Sequence, residues 1–196
     1  DKEEITLETL AGVKILKMEI LKGKVRRVTV NMGAPILEPE EIPVDMEGAS
    51  VISREIQVAG EAIPVTCVSM GNPHAIVFVE DAAHYPVEVK GPLLENHPLF
   101  PRRINAEFAE ILSRDRIRMR VWERGSGETL ACGTGACATL VAAALNGLTE
   151  RQATLELLGG ELETRWSPED NNVYMTGPAT TVFNGEIDLA EAGMKG

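Results

Sequence analysis

Runs of strand character follow one another along this chain with little but turn residues between them, and that adjacency limits the folds open to it. "VKILKMEILKGKVRRVTVNMG" holds two such runs joined at Lys22-Gly23-Lys24, and "REIQVAGEAIPVTCVSM" two more joined at Ala59-Gly60. Each reads as a hairpin. "AIVFVED" is a strand of buried type, and "INAEFAEILSRDRIRMRVWERG" is a strand, a polar turn and a strand. In the second of these, Ile117, Met119 and Val121 alternate with Arg116, Arg118 and Arg120, the pattern of a strand with one wet face. "ATLELLGGELETRW" reads as a Gly-Gly hairpin, and "NNVYMTGPATTVFNGEIDL" supplies one or two more strands. Helices are few: a short one over 91–96, stopped by Pro98, and an Ala-rich one over 133–146 with Gly147 at its C′ position. "APILEPEEIPVDMEG" has no period and reads as a connector. Strands that neighbour one another in sequence favour α+β with antiparallel pairing over a doubly wound α/β fold.

A chain of 196 residues suffices for one large domain, or one domain and part of another. Its net charge of −11 argues against nucleic acid and an anionic membrane surface as partners. The longest apolar run, 136–145, is too short to span a bilayer, and the acidic opening "DKEEITLETL" is no signal peptide. Three cysteines, an odd number without metal-type spacing such as CxxC, read as free thiols of a cytoplasmic protein, with no metal expected. The chain opens on Asp1 and runs straight into strand pattern, which reads as an internal start.

The segment "WERGSGETLACGTGACA" carries the densest chemistry. Cys132 precedes a helix whose first turn holds Gly133 and Gly135, so unpaired amides and the positive end of the helix dipole face the thiol. Such a place stabilises a thiolate and binds carboxylates, and Thr134 can add its hydroxyl. The plainer reading is a small packing residue, the role Cys137 fits one turn on; on physical grounds both stand open for Cys132. Glu123 lies nine residues before Cys132 across a Gly-Ser-Gly turn, within easy reach of it. Arg124 could grip a carboxylate through its fork, or simply form an exposed rim pair with Glu123. In "GNPH", Pro73 pushes Asn72 out of the helical region and aims its amide, while His74 opens the next strand. His84 and His97 sit in polar surroundings and read as solvated.

"MGNPHAIVFVED", "RRINAEFAEI", "RVWERGSGETLACGTGACA" and "YMTGPATTVFNGEI", in this order, resemble the diaminopimelate epimerase family, amino-acid epimerases that work without pyridoxal phosphate. The likeness runs through essentially the whole chain and is most specific in "ERGSGETLACGTGACA". It implies a two-lobed, pseudo-symmetric fold in which mostly antiparallel strands wrap a central helix. Residues 1–33 would be the tail of an N-terminal lobe, 34–182 the C-terminal catalytic lobe, and 183–196 a final strand returning to the first lobe. It implies inversion of an α-carbon by two cysteines, one on each face, with Cys132 as the second. It further implies Glu123 as that thiol's partner, His74 as the imidazole associated with the first cysteine, and Arg124 as the grip on a substrate carboxylate. Gly133 and Thr134 would be donors at the helix start, and Asn72 and Asn105 amides for the distal amino-acid end. No cofactor is implied, and no lysine sits in a pyridoxal-type motif. The partners implied are a small amino-acid substrate, the missing lobe and a second copy in a homodimer.

One departure matters. The family's first cysteine sits in a Cys-Gly-Asn-Gly type motif, and nothing like it occurs here; Cys67, in "PVTCVSM", reads as a core residue. The leading expectation is therefore a lobe of diaminopimelate epimerase with half of the thiol pair, inactive alone. Two other readings remain: an epimerase of this fold for another amino acid, and a non-catalytic ligand-binding lobe.

Overall fold

The computed structural model describes residues 2–9 and 12–187. The strands are β1 (Glu4–Thr9), β2 (Gly12–Leu21), β3 (Lys24–Gly33), β4 (Arg54–Val58), β5 (Glu61–Ser69) and β6 (Pro73–Phe78). Helix α1 (Val87–Glu95) leads to β7 (Asn105–Ser113), β8 (Arg116–Glu123) and the short β9 (Gly127–Thr129). Helix α2 (Gly133–Leu145) precedes β10 (Gln152–Leu157), β11 (Gly160–Trp166) and β12 (Val173–Pro178). They form one sheet in the order β1-β2-β3-β12-β11-β10-β8-β7-β6-β5-β4, with β9 paired to β8.

Most pairs are antiparallel, and the expected hairpins form. Lys22 and Gly23 (φ 52° and 73°) turn β2 into β3, and Ala59 and Gly60 (φ 51° and 85°) turn β4 into β5, the left-handed pair that a two-residue hairpin requires. In the third hairpin Leu157 pairs with Gly160, so the turn residues are Leu158 and Gly159. The sheet is mixed, however: β6 pairs parallel with β7, and β8 with β10. A helix lies in each connection, and a parallel pair needs such a crossover. Of the strands expected in 171–189 only β12 forms among the described residues; 183–187 carry none, and the rest of the final strand expected over 183–196 lies outside them.

The sheet separates two cores. Val65, Cys67, Ala75, Val77, Ala106 and Phe108 face the α1 side with Val87 and Leu94. Val68, Ile76, Ala109, Ile117, Met119 and Val121 face α2. Residues 135–143 of α2 are all buried, which fits a helix apolar on every side, packed on β5, β6, β7, β10, β11 and β12. Cys67 and Cys137, at 1% and 0% exposure, take the core roles expected of them. The outward arginines of β8 meet carboxylates of neighbouring segments: Arg116 with Glu156 and Glu161, Arg118 with Glu110 and Glu156, Arg120 with Glu128.

Helix α1 begins at Val87, four residues before the expected start. Pro86 stands at its N-cap without a side-chain cap, and Pro92 lies inside it, so the usual start signal is missing and a breaker sits mid-helix. Val87, Gly91, Leu94 and Glu95 form its buried stripe, and tertiary packing overrides the weak local preference. His97 also departs from expectation. It is half-buried against Phe100, its Nε2 3.0 Å from the Gln57 carbonyl and its Nδ1 accepting from Leu99 N–H. No helix among the described residues is long and apolar enough to cross a membrane.

Candidate active site

Four chain segments end at one margin of the sheet. The starts of β6 and β7 lie side by side, with His74 in register with Asn105; β8 ends beside them, and α2 starts there. Asn105 ties the loops together: its amide nitrogen donates to the Pro73 carbonyl at 2.9 Å, and its Oδ1 accepts from Arg124 N–H at 2.9 Å. Its carbonyl and one amide N–H thus brace the two loops that carry Asn72 and Arg124. The Arg124 guanidinium reaches the Arg102 carbonyl at 2.8 Å.

The β8–β9 turn is held from α1. Glu95, only 6% exposed, accepts from Trp122 Nε1 at 2.7 Å, Gly125 N–H at 2.9 Å and Arg103 at 3.0 Å. A buried carboxylate with three donors is a strong local clamp. Glu123, inside the clamped region, accepts from Thr129 Oγ1 at 2.5 Å.

Cys132 is the N-cap of α2, with extended backbone (φ −134°, ψ 107°) and 6% exposure. Its Sγ accepts from Gly135 N–H at 3.4 Å and lies 3.5 Å from Thr134 Oγ1. Gly135 N–H and the Thr134 hydroxyl thus lie against the sulfur, but their effect on the thiol is outweighed. Burial, then the Glu107 charge, push Cys132 up to about 11, against the smaller downward pull of Thr134 and Gly135; Glu123 adds a lesser push upward. Burial and the Glu107 charge thus work against the helix-start donors at this sulfur. Burial pushes Cys67 and Cys137 higher still, to about 12.

His74 is fully buried, with Nδ1 2.6 Å from Glu107 Oε1 and Nε2 3.0 Å from Asn72 Oδ1. Asn72, His74 and Glu107 thus form a continuous polar chain. Glu107 was not singled out from the sequence. An acid within a strand usually marks a solvent face, and its signal lay only in context: "INAEFAEI" follows the both-faces-apolar "AIVFV", so a neighbouring strand had to be buried on both sides. Among the described residues no group of three or more His, Cys, Asp or Glu side chains could hold a metal ion.

The small residues at the start of α2 have steric reasons. A Cβ on Gly133 would lie 3.1 Å from Met175 Sδ. On Gly135 it would lie 2.7 Å from Glu107 Oε1 and 3.2 Å from Cys132 Sγ. Gly to Ala within a helix normally gains about 1 kcal/mol. At Gly135 the added methyl displaces a fully buried carboxylate, so Gly135→Ala is expected to destabilise by about 1–3 kcal/mol. A urea melt checks it; a midpoint above wild type refutes the packing.

Comparison with known proteins adds the decisive observation. The family model described as diaminopimelate epimerase matches residues 66–182, spanning β6 to β12 and every site residue above. The chain belongs to the diaminopimelate epimerase family. The diaminopimelate epimerase of Acetivibrio thermocellus is 54% identical over 191 residues, covering 97% of this chain and 68% of that protein. That of Methanococcus maripaludis strain S2 is 56% identical over 189 residues, covering 96% and 68%. A probable proline racemase from Agrobacterium radiobacter K84 superposes with TM-score 0.68 at 18% identity, over 96% of this chain and 62% of its own. A hydroxyproline epimerase from Agrobacterium vitis gives 0.65 at 17%, over 91% and 57%. These two structures show a shared fold. The chain thus spans about two thirds of its epimerase relatives' length.

Proposed function

We propose that this chain is the Cys132-bearing lobe of a diaminopimelate epimerase, interconverting LL- and meso-diaminopimelate by two thiols and no cofactor. The observation that carries the reading is the Cys132 sulfur capping α2 beside Gly135 N–H, within the part of the chain that the family model matches. Inversion needs an acid on one face of the α-carbon and a base on the other. Cys132, held as a thiol, is the donor on one face. The second thiol belongs to a sister lobe, to which residues 1–33 and 183–196 are joined, while 34–182 form the catalytic lobe around α2. Arg124 and the first-turn amides at Gly133 and Thr134 hold the substrate carboxylate and take up the negative charge that develops as the α-proton leaves. Asn72 presents its amide nitrogen to the distal amino-acid end, with Asn105 bracing its loop. His74 stands beside the thiol of the sister lobe, and Glu123 is the carboxylate that partners Cys132. The enzyme acts as a cytoplasmic homodimer.

Incubation of the two-lobed enzyme with LL-diaminopimelate tests this reading: meso product is expected, and preference for another amino acid would favour the other epimerase reading. The two superposed structures, named a hydroxyproline epimerase and a probable proline racemase, make that second reading worth the comparison. The 196-residue chain by itself is expected to give no conversion. Alkylation separates both from a non-catalytic lobe. Iodoacetamide should modify Cys132 ahead of Cys67 and Cys137, because it is more exposed and its thiol is pushed up less. Equal rates at all three would support the non-catalytic lobe.

A further inference from the structure

Glu107 sits within β7 at 0% exposure, on the face turned to α2, where the next residue on that face is Ala109. Its Oε1 lies 2.6 Å from His74 Nδ1, and its Oε2 is buried without a hydrogen-bond partner among the described residues. Stability does not call for such a group, since an apolar residue of similar volume serves a core as well or better. A half-satisfied buried carboxylate persists where its charge has a use. Gly135 shows where the charge is directed: one point above its Cα lies 2.7 Å from Glu107 Oε1 and 3.2 Å from Cys132 Sγ. A side chain at that position would separate carboxylate from sulfur.

We infer that Glu107 is a positioning residue, which fixes the His74 ring through Nδ1 and holds Cys132 as a thiol, the form that delivers a proton. This rests on the epimerase reading for its purpose but not for its test. Glu107 faces Cys132 from β7, Glu123 faces it from the end of β8, and Cys137 lies one turn along α2. His74 approaches Glu107 from β6, and Cys67 on β5 also feels its charge. The Glu107 charge acts on Cys132 more strongly than that of Glu123 does. Like charge disfavours a thiolate, so as pH rises Cys132 ionises later with Glu107 present than without it.

The test is the pH profile of Cys132 alkylation by iodoacetamide in the full chain, wild type against Glu107→Gln, with Cys137 as internal reference. Gln keeps the shape and an acceptor for His74 Nδ1 while removing the charge. The midpoint for Cys132 is expected to fall by about one pH unit, raising its rate at pH 8 about tenfold. An unchanged midpoint in a variant with wild-type circular dichroism overturns the proposal. Should Glu107→Gln fail to fold, ¹⁵N NMR of wild-type His74 decides: a proton on Nδ1 supports the proposal, and a bare Nδ1 overturns it. Neither readout depends on turnover, so failure here is distinct from failure to epimerise diaminopimelate.

Discussion

Serine in place of Cys132 is expected to cut epimerase turnover in the two-lobed enzyme by about 10²- to 10⁴-fold, the usual contribution of a positioned acid or base. The fold should be indifferent to the change. Serine is a preferred N-cap residue, and its Oγ can take the Gly135 N–H that Cys132 Sγ now accepts at 3.4 Å. A hydroxyl, however, is far too weak an acid to alternate between the two protonation states as a thiol does. The expected pattern is thus a near-unchanged melting temperature with lost activity. If Cys132 were packing alone, the same substitution would leave turnover intact. Retained turnover would therefore remove Cys132 from the chemistry, and lost stability would show that its burial matters more than its position.

Gly91→Ala is expected to be the costliest single methyl in the chain's frame. The new Cβ would stand 2.4 Å from Trp122 Cγ, 2.6 Å from its Cβ and 2.7 Å from its Cδ2, inside any permissible contact. Trp122 cannot swing aside freely, because its Nε1 donates to Glu95, which also holds Gly125 N–H and Arg103. Relief requires moving α1 away from β8 or breaking that clamp. A loss of about 3 kcal/mol is expected, the upper part of the overpacking range, against the roughly 1 kcal/mol gain usual for this swap in a helix. Because Glu95 steadies the turn after Glu123 and Arg124, the variant should also weaken substrate binding. Urea midpoints and KM measure the two effects. A midpoint at or above wild type would mean that the helix sits further from Trp122 than the structure shows.

Where the fold was legible in the sequence, a local cause was at work. Gly23 and Gly60 announced two hairpins because their turns need left-handed backbone, and both adopt it. Ile117, Met119 and Val121 announced the buried face of β8 because its arginines reach outward to carboxylates. Gly147, at φ 70°, marked the end of α2. What stayed hidden depended on partners distant in sequence. The parallel pairing of β6 with β7 follows from α1 crossing between them, and the true start of α1 carries no capping signal. At the site, the sequence singled out Asn72, His74, Asn105, Glu123, Arg124, Cys132, Gly133 and Thr134, and the structure gathers their segments at one margin. It could not show that Asn105 braces two loops, nor that the carboxylate acting most on Cys132 is Glu107 rather than Glu123. Charge and burial there come from a strand 25 positions earlier in the chain than the sulfur.

Cys132 is proposed as one of two thiols serving opposite faces of an α-carbon. The most direct measurement follows LL-diaminopimelate in D₂O with the two-lobed enzyme, reading deuterium at the α-carbons during the first turnovers. Separate acid and base predict solvent deuterium at the inverted carbon of the meso product while the recovered LL substrate is still unlabelled. Label entering recovered substrate and product together, or no meso product at all, would contradict a pair of thiols acting from opposite faces.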